Sequence, residues 1–186
     1  MPASAADLAA IDAVRAALQD AAIRLAAQGA RTEALAEYVP ARRVLLVPRG
    51  ERLRSAGRVW RLGVLLLAAD AQREAAASVT GPRVYATGSV TRSHEPGRPT
   101  YQALSAERRR QLRVAAYRGH FEPGESVNFG ARAIAIDETL VGASGPLFVA
   151  DGRALVRWSS ATDAVTDFAG YLADRVSLLA EPPSGA

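Results

Sequence analysis

The chain has 186 residues, 49% of them hydrophobic, and its 23 basic against 19 acidic residues give a formal net charge of +4. It contains neither cysteine nor lysine, which excludes thiolate nucleophiles, disulfides, P-loop lysines and Schiff bases. Because this length suits one domain and no apolar run is long enough to span a bilayer, we expect a single cytoplasmic domain over residues 1–180 and a disordered tail at 181–186.

The N-terminal region has the periodicity of a helix. Residues 4–28 repeat apolar side chains at helical spacing, Ser4 and Asp7 are placed to form a capping box, and Gly29 ends the pattern. A short helical turn is then expected from Thr32 to just before Pro40, because a residue that precedes proline avoids the helical backbone conformation.

Strand patterns follow in the next part of the chain. Residues 43–47 and 58–68 are rich in branched and aromatic side chains, and the polar residues 48–57 between them suit a hairpin connection. Residues 83–91 form a third predicted strand, whose alternation places several hydroxyl side chains in one row on one face.

The second half of the sequence alternates between helical and strand patterns. The predicted elements are a helix at 104–119 capped by Ser105, a strand at 126–136, a hairpin at 147–158 that turns at Asp151 and Gly152, and a helix capped by Thr162. This order predicts the α+β class, with a mainly antiparallel sheet of about six strands and N-terminal, middle and C-terminal helices in a single domain.

The densest group of reactive side chains is the stretch YATGSVTRSHEPGRPTY, residues 85–101. A nucleophilic hydroxyl needs a base within hydrogen-bond reach, so the catalytic candidates are Thr87 and Ser89, with His94 or His120 as the base. The alternative is that hydroxyls on the outer face of a strand satisfy one another and water, with no catalytic role.

The second half of this stretch, residues 92–101, is where we expect a small anionic or amide-bearing ligand. The planar fork of arginine suits a carboxylate or a phosphate, and the candidate ligand-binding residues are Arg92, Arg98, Tyr101 and Asn128. The pairs His94-Glu95 and His120 with Glu122 offer imidazole and carboxylate groups, but their spacing fits no closed metal motif. We therefore predict no metal and no other cofactor.

Arginine is concentrated in residues 42–61 and 83–118, and each stretch has a net charge of +6. If these stretches lie side by side, they form a surface for the phosphates of a nucleic acid. The contacts would be Arg42, Arg43, Arg108, Arg109 and Arg110. The alternative is a solvated face whose arginines reflect the codon usage of a GC-rich genome. No membrane partner is expected, and the oligomeric state cannot be read from the sequence.

The segments RVWRLGVLLL, YATGSVTRSHEPGRPTYQ, SAERRRQLRVAAYRG and VNFGARAI resemble a small family of proteins from GC-rich actinobacteria that is labelled glutaminase. The resemblance implies hydrolysis of glutamine to glutamate and ammonia. The segment ATGSVT at 86–91 is also similar to the ATGGTI strand end of the asparaginase family, which implies Thr87 as the nucleophile. The first hypothesis is a ligand-binding protein, and the alternatives are an amide hydrolase and a nucleic-acid-binding protein.

Overall fold

The computed structural model of the protein describes residues 3–44, 47–69, 81–96, 104–159 and 164–181. Within these ranges the helices are α1 (Ala5–Ala27), α2 (Leu104–Arg118) and α3 (Phe168–Ala180), with a short 3₁₀ helix at Glu138–Leu140. The strands of the first half are β1 (Glu33–Val39), β2 (Arg42–Val44), β3 (Val47–Arg49), β4 (Arg52–Leu62), β5 (Leu65–Ala68), β6 (Val84–Ala86) and β7 (Ser89–Arg92). Those of the second half are β8 (Ser126–Phe129), β9 (Arg132–Ile134), β10 (Leu147–Ala150), β11 (Arg153–Arg157) and β12 (Val165–Asp167).

The strands pair in three sheets. Seven strands follow the order β7-β8-β1-β4-β5-β6-β9, three form the antiparallel set β10-β11-β12, and β2 and β3 form a two-stranded ribbon. The pair of β1 and β8 is parallel, whereas β4-β5, β5-β6, β6-β9 and β7-β8 are antiparallel. The α+β class, the mainly antiparallel sheet and the three helix positions are confirmed, with seven strands in the main sheet instead of about six.

The chain folds into two compact units. The terminal unit comprises residues 1–32, 59–87 and 132–186, and the inner unit comprises residues 33–58 and 88–131. Each unit has its own apolar core. The single domain over residues 1–180 stays a prediction, and the expected tail lies outside the described residues except for Glu181, which caps α3.

In the terminal unit, α1 and α3 bury their apolar faces in one core. The predicted capping box at the start of α1 is confirmed, because the Asp7 amide donates to Ser4 Oγ at 3.2 Å and the Ser4 amide donates to Asp7 Oδ2 at 3.0 Å. Asp7 Oδ1 also accepts from the amide of Gly152. The buried members of this core are Ile11, Val14, Leu18, Ala21, Ala22, Leu25, Trp60, Leu62, Leu65, Leu67, Val84, Leu140, Leu147, Val149, Val156, Phe168, Tyr171, Leu172 and Val176.

The predicted hairpin at 147–158 is confirmed as the pair of β10 and β11. Its turn residues Asp151 and Gly152 have φ of 51° and 69°, the positive values that a two-residue hairpin turn requires. The α3 helix begins later than predicted, at Phe168, because Asp167 caps it and accepts from the amide of Gly170 at 3.1 Å. The predicted cap, Thr162, lies outside the described residues.

In the inner unit, α2 packs through small residues onto its strands. The core consists of Ala34, Ala36, Leu53, Ala115, Ala116, Phe121 and Val127. Gly119 ends the helix as predicted, and its amide donates to the carbonyl oxygen of Ala116 at 2.9 Å. The helix already begins at Leu104, so the prediction of Ser105 as its cap is wrong.

The helical turn predicted from Thr32 is wrong, because residues 33–39 form strand β1. Ala34, Leu35 and Ala36 pair in parallel with residues 127–129 of β8. Glu, Ala and Leu favour a helix in isolation, but pairing with a strand far along the chain and burial of the alanines override this local preference.

Four single-strand predictions correspond to two strands each. Residues 43–47 contain the end of β2 and the start of β3, and residues 45–46 lie outside the described ranges. Residues 58–68 turn back at Gly63, whose φ is +66°, so β4 and β5 form a hairpin, and part of the connection predicted at 48–57 belongs to β4. Residues 126–136 break at Gly130, also with φ of +66°, into β8 and β9. Residues 83–91 break into β6 and β7 at Thr87 and Gly88.

Candidate functional site

A cleft of about 300 Å³ lies in the inner unit, between α2 and the residues that follow β7. We call it the α2 cleft. Its wall on the helix is rich in arginine, and its opposite wall consists of the short segment after β7. The lining residues are His94, Glu95, Ala106, Arg109, Arg110, Arg113 and Val114.

The segment after β7 is fixed by a network of backbone hydrogen bonds. Ser93 is 1% exposed, and its hydroxyl donates to the carbonyl oxygen of Phe121 at 2.9 Å. The amide of Gly124 donates to the carbonyl oxygen of Ser93 at 2.8 Å, and the His94 amide donates to the carbonyl oxygen of Arg113 at 3.3 Å. The bond from His94 to Arg113 connects the two walls of the cleft, and the bonds of Ser93 attach the segment after β7 to residues 121–124. The sequence did not single out Ser93.

The imidazole of His94 has a defined orientation. Its Nδ1 lies 2.7 Å from the carbonyl oxygen of Glu95. Because a carbonyl oxygen only accepts, Nδ1 carries the proton, and Nε2 is the acceptor of the neutral ring. The Glu95 carboxylate accepts from the Tyr117 hydroxyl at 3.2 Å, and its negative charge, together with this bond, raises the pKa of Tyr117.

Three guanidinium groups reach the cleft from α2. Arg109 and Arg113 are four residues apart and therefore lie on the same side of the helix. Arg110 is paired with Glu107, to which its Nε and Nη2 each donate at 2.8 Å. Among the described residues, neither Arg109 nor Arg113 has a carboxylate partner. The cleft is thus lined by two cations that the described residues leave available to an anion.

The net charge of the inner unit is positive, like that of the arginines in the cleft. It holds thirteen arginines and seven glutamates with no aspartate, a formal net charge of +6. The terminal unit holds ten arginines and twelve acidic residues, a formal net charge of −2. A cleft in a surface of one sign raises the local concentration of counter-ions, so the α2 cleft favours anionic ligands.

A second cleft of about 290 Å³ lies in the terminal unit, beside β6 and β9. One of its lining residues is Arg15 of α1, which donates to the carbonyl oxygen of Ile136 at 2.7 Å and pairs with Asp12. The Arg15 guanidinium is therefore already bound by protein groups, whereas Arg109 and Arg113 of the α2 cleft have no carboxylate partner among the described residues.

Two of the three predicted catalytic residues do not lie on one strand. Thr87 lies between β6 and β7 in the terminal unit, half-buried, and its amide donates to the carbonyl oxygen of Val64 at 3.1 Å. Ser89 begins β7 in the inner unit and is exposed. The predicted row of hydroxyls on one strand is therefore wrong. Among the described residues, no Ser or Thr hydroxyl is hydrogen-bonded to the His94 ring, and the hydrolase hypothesis stays a prediction.

The predicted ligand-binding residues that the structure describes differ in burial and in their contacts. Arg92 is exposed at the end of β7 and pairs in register with Ser126. Asn128 is 1% exposed, and its Nδ2 donates to Glu33 Oε2 at 2.7 Å and to the carbonyl oxygen of Ala34 at 3.2 Å, so its amide stabilises the pairing of β1 and β8. Arg98 and Tyr101 lie outside the described residues.

The predicted nucleic-acid contacts lie on two different elements of the inner unit, helix α2 and the β2–β3 ribbon. Arg109 and Arg110 line the α2 cleft, whereas Arg42 and Arg43 lie on the β2–β3 ribbon. Arg108 is held by Glu51, to which its Nη1 donates at 2.7 and 2.9 Å, and its guanidinium lies 5.7 Å from the centre of the Tyr38 ring.

No helix within the described ranges is long and apolar enough to cross a membrane. Nor does that part of the chain bring three or more histidine, aspartate or glutamate side chains together as a group that could hold a metal ion. Comparisons with protein-family models, with curated proteins and with solved structures find no match to this chain.

Proposed function

We propose that the protein binds a small anionic ligand, a carboxylate or a phosphate, in the α2 cleft. The observation that carries the proposal is the pair Arg109 and Arg113, which line a concave site without a carboxylate partner among the described residues. Arginine presents several N–H groups in a planar fork, and this geometry suits the oxygens of both kinds of anion.

The size and position of the cleft support this proposal. Its volume of about 300 Å³ is at the lower end of the range for small-molecule sites. His94 stands opposite the arginines, and the fixed proton on its Nδ1 leaves Nε2 to interact with a ligand.

A thermal-shift experiment tests the proposal, because a ligand that binds only the folded state raises the melting temperature. The probes are glutamate, glutamine, inorganic phosphate, pyrophosphate and a nucleoside monophosphate. We expect a shift with at least one anionic probe and none with glutamine, which has the same size as glutamate but a neutral side chain.

Matched arginine variants test the location of binding. In Arg113→Gln one charge-assisted contact is lost, which corresponds to about 1.5–3 kcal/mol, so the dissociation constant of the bound probe should rise roughly 10- to 150-fold. The control is Arg54→Gln, since Arg54 lies on β4 in the same unit, pairs with Glu37 of β1 and does not line the cleft. Equal affinity of wild type and Arg113→Gln would exclude the cleft as the site.

A further inference from the structure

The β2–β3 ribbon presents arginines on both of its faces. The register places Arg42 directly opposite Arg49 and Arg43 opposite Pro48. Side chains directly opposite each other on antiparallel strands lie on the same face, and neighbours along a strand alternate. Arg42 and Arg49 therefore share one face, and Arg43 points to the other.

The described residues do not neutralise these charges. Like charges directly opposite each other destabilise a strand pair. All three arginines are exposed, and within the described part of the chain none of them has a carboxylate partner. The adjacent acid, Glu51, already accepts hydrogen bonds from Arg108 and from Tyr38. The pairing of Arg42 with Arg49 is therefore unfavourable in the isolated protein.

A fourth arginine extends the basic surface at the base of the ribbon. A Cβ atom added to Gly50 would lie 2.6 Å from Nη1 of Arg118, so this guanidinium stands directly beside the residue that follows β3. Arg118 is exposed at the end of α2. The ribbon and its base thus carry four exposed arginines in a unit with a net charge of +6.

We infer that the β2–β3 ribbon is a docking element for double-stranded DNA. The ribbon is a two-stranded element whose three arginines are exposed, whereas a small anion requires a concave site. The major groove of B-form DNA admits a two-stranded ribbon with phosphates on either side, while the major groove of A-form RNA is too narrow for side chains to read. Arginines on both faces of the ribbon suit phosphates on the two walls of such a groove.

Fluorescence anisotropy of a labelled duplex of about two helical turns, titrated with the full chain, tests this inference. If four arginines each neutralise one phosphate, log K should fall with log salt with a slope of about −3.6. In the double variant Arg42→Gln/Arg49→Gln the slope should become shallower by about 2, and affinity at about 50 mM salt should fall at least roughly 10-fold.

The control variant is again Arg54→Gln, whose arginine lies in the same unit and is paired with Glu37. We expect its DNA affinity to equal that of wild type. Because the double variant removes a repulsive pair, its melting temperature should be unchanged or higher, which separates loss of binding from loss of folding.

Three results would overturn the inference. They are no binding of DNA by wild type at about 50 mM salt, equal affinity of the double variant and wild type, and equal or tighter binding of an RNA duplex or of vesicles containing phosphatidylserine. None of these results bears on the α2 cleft, since small-anion binding is measured separately.

Discussion

Replacement of Glu51 by glutamine should destabilise the inner unit in a pH-dependent way. Burial by itself would raise the pKa of Glu51, but the hydrogen bonds from Tyr38 and Arg108, together with the charges of Arg108 and Arg118, lower it below its usual value of 4.5. A carboxyl whose pKa is lowered by folding contributes stability above its unfolded pKa, and this contribution is lost as the pH falls through the folded pKa.

The magnitude follows from the exposure of each partner. The Arg108 side chain is 48% exposed, so its ion pair is screened by solvent and contributes at most about 1 kcal/mol. The Glu51 side chain is 14% exposed, and a hydrogen bond from a hydroxyl to such a carboxylate contributes about 1.5–3 kcal/mol. Glutamine keeps one carbonyl acceptor for the Tyr38 hydroxyl, so we expect Glu51→Gln to cost about 1–2 kcal/mol at neutral pH.

Urea unfolding at about pH 7 and about pH 3 measures this effect, since the linear extrapolation gives the free energy of unfolding at each pH. The difference between wild type and Glu51→Gln should be largest at neutral pH and should become smaller at the lower pH. The matched control is Glu37→Gln, which removes a carboxylate that is 59% exposed and paired with Arg54, and it should change stability by less than about 1 kcal/mol. A difference that is as large at the lower pH as at neutral pH, or no difference at neutral pH, would refute the assignment of the stabilising charge to Glu51.

Other substitutions test the packing of each unit by urea unfolding. Gly119→Ala should destabilise the inner unit by about 1–3 kcal/mol or more, because its Cβ would overlap the carbonyl oxygen of Leu53 and lie 2.9 Å from the carbonyl carbon. Gly170→Ala is the opposite case, since its Cβ would meet only a carboxylate oxygen 3.9 Å away in the first turn of α3, and we expect a gain of about 0.5–1 kcal/mol. Tyr171→Phe should cost about 1–3 kcal/mol. The Tyr171 hydroxyl donates to the carbonyl oxygen of Leu62 at 3.1 Å and accepts from the amide of Val64 at 3.0 Å, and both bonds would be lost. Stability equal to that of wild type in Gly119→Ala or Tyr171→Phe would contradict the packing described for that residue.

Local signals in the sequence were sufficient to predict several elements. The capping box of Ser4 and Asp7 and the turn at Asp151 and Gly152 depend on residues within a few positions of each other. Strand β1 could not be predicted in this way, because Ala34 pairs with Val127, which is distant in the sequence. Its composition favours a helix until this pairing forms.

The candidate site was predicted only in parts. The segment after β7 was predicted as a ligand loop and Arg109 and Arg110 as nucleic-acid contacts, whereas Arg113 was not singled out. Nothing in the sequence indicates that the His94 amide bonds to the carbonyl oxygen of Arg113, which brings the two into one cleft. The break between β6 and β7 at Gly88 could not be predicted from the sequence either. It occurs where the chain passes close to the backbone of Phe129 and Gly130, which are distant in the sequence.

The most direct test of anion binding in the α2 cleft is calorimetric titration of pyrophosphate into wild type and into the double variant Arg109→Gln/Arg113→Gln. Both arginines line the cleft without a carboxylate partner among the described residues, so wild type should bind at one site per chain. Loss of two charge-assisted contacts should weaken binding by at least roughly 100-fold. Equal heats and equal affinity in both proteins would contradict the proposal.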